Sequence, residues 1–99
     1  METYIAISTY HEHIEGKPNY YTPYDVFARE DNKLFRCKLS EDSKSIRRER
    51  VRIFSLDRRL ANAAFSGKQI KGRQAIQCTE EEAIEALVAN EFMFKRKDE

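Results

Sequence analysis

From Tyr4 to His13 the chain alternates loosely between β-branched or aromatic residues and polar ones, a period of two that predicts a strand. On that period Ile5, Ile7, Thr9, His11 and His13 share one face, and Tyr4, Ala6, Ser8, Tyr10 and Glu12 share the other. Gly16-Lys17-Pro18-Asn19 breaks the pattern. A second extended stretch covers about residues 20 to 29; Pro23 near its start confines that end to an edge, because proline has no amide hydrogen for a ladder. Glu30-Asp31-Asn32-Lys33 predicts a tight hairpin turn, since Asp and Asn tolerate the left-handed conformation that two-residue turns demand. The returning strand, residues 34 to 39, alternates Phe35, Cys37 and Leu39 with Arg36 and Lys38.

Residues 40 to 45 are polar and read as a loop. Residues 48 to 54 alternate charge with Val51 and Ile53, as an outer strand does, although Arg and Glu also favour helix. Ser55 is a helix cap, Leu56, Leu60, Ala63 and Ala64 follow as an apolar stripe, and Gly67 closes the helix. Residues 68 to 78 alternate imperfectly around Gly72, which predicts a loop and a short strand. Thr79-Glu80-Glu81-Glu82 is a capping box opening a helix over about residues 80 to 92, with Ile84, Leu87, Val88 and Phe92 as its stripe. There is no internal repeat. Strands first and helices later predict an α+β fold: one domain over residues 1–99, with a small antiparallel sheet of three to four strands and two C-terminal helices packed on one face.

Composition narrows the function. A chain of 99 residues is one ordinary domain, which excludes a two-domain enzyme. Its 40% hydrophobic content supports a folded core, kept thin by 35% charged residues and a mean hydropathy of -0.76. No apolar run exceeds about five residues against the roughly 18 that span a bilayer, and the first residues lack the basic start of a signal peptide. A soluble, cytoplasmic protein is expected. Cys37 and Cys78 form no CxxC pair and are expected to be reduced core residues.

The net charge of +1 conceals an uneven distribution: residues 44 to 73 hold ten Lys and Arg against Glu49 and Asp57, a net of +8, while the flanking segments carry -3 and -4. Seven of the ten are Arg, whose planar fork suits phosphates. If residues 48 to 54 form a strand, Arg48, Arg50 and Arg52 project from one face at intervals of about 7 Å. Arg58 and Arg59, early in a helix, oppose its dipole and gain nothing for stability there, and Lys68, Lys71 and Arg73 extend the block. The bland alternative is a solvated face neutralised by acids such as Glu80 to Glu82.

Two other constellations point elsewhere. His11 and His13 flank Glu12 and, on a strand, bring two imidazoles to one face, a basis for a metal-dependent hydrolase; the alternative is two solvated histidines at a fraying strand end. Tyr10, Tyr20, Tyr21 and Tyr24 are a candidate contact surface for a protein–protein inhibitor or adaptor that also uses a sheet edge, or else the rim of a thin sheet. No GxSxG, GxxxxGK[ST] or GxGxxG motif occurs. The expectation is a non-enzymatic binding protein without cofactor, using Arg47, Arg48, Arg50, Arg52, Arg58, Arg59, Lys68, Lys71 and Arg73, with Tyr20, Tyr21 and Tyr24, to engage nucleic acid or the acidic surface of a nucleoprotein complex. Its size and charge style fit an accessory or inhibitory factor of phage or mobile-element type, and a homodimer is compatible with the pattern.

Overall fold

In the computed structural model, which describes residues 2–8, 24–70 and 73–97 with side chains to residue 90, the strand-forming segments join one antiparallel sheet. Its strands are β1 (Thr3–Ser8), β2 (Tyr24–Glu30), β3 (Lys33–Leu39), β4 (Ile46–Arg50) and β5 (Ala75–Cys78), and the helices are α1 (Leu56–Phe65) and α2 (Glu80–Lys97). The order across the sheet is β4-β3-β2-β1-β5. The first four strands form a meander, and α1 then carries the chain to the far edge, where β5 pairs with β1. Five strands therefore replace the expected three to four, because residues 75–78 do find a partner. Residues 9–13 of the first predicted strand, the Gly16–Asn19 break and Pro23 lie outside the described residues.

The helices do not share a face. Ile5, Ile7, Phe27, Leu34 and Val51 pack with Ala61 and Ala64 of α1, whereas Tyr4, Ala6, Val26, Ala28 and Cys37 pack with Ala83 and Leu87 of α2. Since neighbouring residues of a strand point to opposite sides, these two sets lie on opposite faces. The reason is in β1 and β2. Tyr4–Ile7 and Val26–Ala28 are apolar at consecutive positions, so a one-sided cover would leave half of them in water. Two helices instead bury both faces, and Phe27, Ile7 and Val26 are shut off completely.

Turn chemistry fixes the register. Asp31 and Asn32 adopt φ of 48° and 66°, the pair of left-handed residues a two-residue hairpin requires, and Glu30 faces Lys33 across it. In the β3–β4 loop the Asp42 carboxylate accepts from the Ser40 hydroxyl and, at 3.0 Å, from the Lys44 amide. Those bonds hold the Asp42 carboxyl below the usual carboxylate range.

Both helix starts follow their caps. Ser55 accepts from the Arg58 amide at 3.1 Å, and Gly67 follows α1 at φ 76°. The Thr79 hydroxyl accepts from the Glu82 amide at 3.2 Å while Glu82 accepts from the Thr79 amide at 3.1 Å, the reciprocal box that the sequence predicts. Ala64 and Leu87 of the expected stripes are buried, but the stripes around them are rotated. In α1 it is Ala61 and Ala64, with Leu60 and Phe65 half-buried, and Leu56 is exposed; in α2 it is Ala83 and Leu87, and Val88 is 41% exposed. Alanine is what lets each helix approach the sheet closely. Near the middle of α2, the Asn90 side chain both donates to the Tyr24 carbonyl (2.7 Å) and accepts from its amide (2.8 Å), tying the helix to β2.

Candidate functional site

The strand expected at residues 48 to 54 runs instead from Ile46 to Arg50. Its register, Leu39 with Ile46, Cys37 with Arg48 and Phe35 with Arg50, puts Arg48 and Arg50 on the α2 side and Arg47 and Glu49 on the α1 side. Arg52 lies beyond the strand end and is not in their row. Val51 ends the pairing: its side chain is buried under α1, and its amide donates to the Leu34 carbonyl at 3.0 Å.

Two arginines of the basic block are tied internally. Arg48 Nη1 donates to Glu2 at 2.8 Å and to Glu30 at 2.9 Å, and its guanidinium lies 4.7 Å from the centre of the Phe35 ring. That hydrogen bond lowers the Glu30 carboxyl from its ordinary value. Arg73 Nη2 donates to Asp25 at 2.6 Å and its Nε to the Ser8 carbonyl at 2.7 Å. The other Asp25 oxygen accepts from Arg36 at 2.6 Å, and Arg36 reaches Asp57 of α1 at 3.2 Å. Arg73 and Arg36 thus brace β2, β3, α1 and the approach to β5. They belong to the scaffold.

Arg47, Arg50, Arg52, Arg58, Arg59 and Lys68 make no ion pair among the described residues. The six are not one surface, since Arg50 lies 5.6 Å from the Phe35 ring on the α2 side and Lys68 follows the end of α1. Lys71, Tyr10, Tyr20, Tyr21, His11 and His13 fall outside the described residues, and Tyr24 is half-buried. Among the described residues no group of three or more metal-ligating side chains comes together.

What does come together is the corner between β4 and α1. Ile53, Phe54 and Leu56 are 69%, 99% and 81% exposed, and with Arg58, Arg59 and Asn62 they line an open groove of about 500 Å³. The chain is pinned on both sides, by buried Val51 and by Ser55, whose hydroxyl also donates to the Arg52 carbonyl at 2.9 Å, so the residues between are forced outward. Sequence reasoning missed these apolar residues by assigning Ile53 and Phe54 to a strand and Leu56 to a buried stripe. A signal was available. An apolar residue preceding a helix cap is normally stapled to an apolar fifth residue after it, but the residue so placed relative to Phe54 is Arg59. At α2 the equivalent pair is Cys78 and Ala83, both in the apolar cluster.

The cysteines are free. Two strands separate β3 from β5, about 14 Å at roughly 4.8 Å per strand, beyond the reach of a disulfide. Burial pushes the Cys37 thiol up to about 12, and burial also raises that of Cys78. Among the described residues no helix is long and apolar enough to cross a membrane. No family model, curated protein or solved structure matches the chain.

Proposed function

We propose that this is a non-enzymatic nucleic-acid-binding protein whose contact surface is the β4–α1 corner, with Arg52, Arg58 and Arg59 meeting phosphates. The observation that carries this reading is the union, in one short segment, of arginines that make no ion pair among the described residues and the most exposed aromatic residue there. Asp57 is the only acid between Arg52 and Asn62, and it is engaged by Arg36. A guanidinium held beside apolar side chains and away from carboxylates keeps its attraction for phosphate. Arg47 extends the basic surface along the sheet edge, whereas Arg48 and Arg73 are withdrawn from it. An accessory or inhibitory role in a nucleoprotein complex in the cytoplasm is the setting in which such a small binding surface would act.

The experiment is a salt series on a variant carrying Arg52→Gln, Arg58→Gln and Arg59→Gln. Affinity for a nucleic acid should fall at least tenfold, the slope of log affinity against log salt should flatten by about 2 to 3, and Tm should hold. Unchanged affinity, or binding indifferent to salt in the unaltered protein, overturns the reading.

A further inference from the structure

Building on that reading, we propose that the corner takes a single strand and that Phe54 is the platform on which an unpaired base stacks. The ring is 99% exposed, so none of the described residues covers the face on which a base would stack. The pinned bend explains why position 54 faces outward but not why an aromatic ring occupies it, because a ring left in water contributes nothing to the core. Beside it the groove of about 500 Å³ has apolar walls from Ile53 and Leu56 and polar groups from the Ser55 cap and the helix ridge. Arg58 and Asn62 are four residues apart on α1, hence one turn apart on the same side, which puts a cation and a carboxamide in line along the groove. No carboxylate lines it. A base against the ring, its phosphate against Arg58 or Arg59 and its edge within the donor and acceptor range of Asn62 would use each of these features. A duplex keeps its bases stacked on one another, and driving Phe54 between them would first have to unstack a step. Three arginines are few to offset that cost, so the unpaired strand is favoured.

The test is fluorescence anisotropy with a labelled mixed-sequence oligonucleotide of about a dozen nucleotides, as DNA and as RNA, each single-stranded and annealed to its complement. The single strand should bind more tightly than the duplex in at least one of the two chemistries. Phe54→Ala should weaken single-strand binding about tenfold without altering the salt slope, Phe54→Leu should do the same, and Phe54→Trp should restore or exceed the original affinity. Since the side chain is fully exposed, Tm should stay constant in all three. Duplex binding as tight as single-strand binding, or full affinity in Phe54→Ala or Phe54→Leu, overturns the stacking role while leaving the phosphate-binding reading intact. Absence of binding to every one of the oligonucleotides at low salt, which is also what a purely protein-docking corner would give, overturns both.

Discussion

Cys37 illustrates how position sets the chemistry of a single side chain. It lies on the α2 face of β3, 3% exposed, and burial raises its thiol to about 12. In the unfolded chain the same thiol titrates near about 8.5. A group whose folded value is raised adds stability in full below the unfolded value and loses it as pH rises toward the folded one. The native state should therefore weaken above about pH 9, by roughly 2 kcal/mol at pH 10 from this thiol. Urea midpoints measured from pH 7.5 to 10.5 should fall more steeply for the natural protein than for Cys37→Ala; parallel curves would refute the assignment. The residues that sequence reasoning placed well, Cys37 included, are those whose role depends on near neighbours. Asp31 and Asn32 are turn formers wherever they occur, and they form the turn. The partners of Arg48 and Arg73 are distant in sequence, Glu2 for one and Asp25 for the other, and no local pattern announces them.

At the scale of elements, the two helices show how much a start signal decides. α2 opens with a reciprocal box, a triplet of glutamates that suits its dipole, and an apolar pair joining its approach to its first turns. Removing the hydroxyl with Thr79→Ala should cost about 1 kcal/mol, read as a lower urea midpoint with an unchanged slope. An unshifted midpoint would mean the box contributes nothing to the fold. α1 has the cap without the rest, and that deficiency leaves Phe54 outside. The boundary of β4 was hard to read for a related reason. Alternation continues through Ile53, so periodicity alone extends the strand, and only the tertiary contact of Val51 with Leu34 and α1 shows where pairing stops.

For the whole molecule, the brace around Asp25 is the junction of the architecture. One carboxylate, with its side chain 18% exposed, holds two guanidinium groups and through them β2, β3, α1 and the approach to β5. Asp25→Asn keeps the shape but leaves the two cations without their shared anion, at a cost of about 1 to 3 kcal/mol. Hydrogen exchange should show the loss first at β5 and its pairing with β1, since Arg73 alone of the two cations reaches the Ser8 carbonyl there. Uniform loss of protection over all five strands would refute this order. The strands-then-helices order made the α+β class legible, whereas the expectation of both helices on one face passed over the consecutive apolar positions in β1 and β2 that call for cover on both sides. How the helices divide that task depends on the route α1 takes across the sheet, which composition does not encode. The bend between Val51 and Ser55 is built differently from this braced interior: its tip touches neither apolar layer, and both of its footings are set by other residues. Changing or lengthening that tip would retune what the molecule grips without reopening how it folds, so recognition and architecture are free to diverge at separate rates.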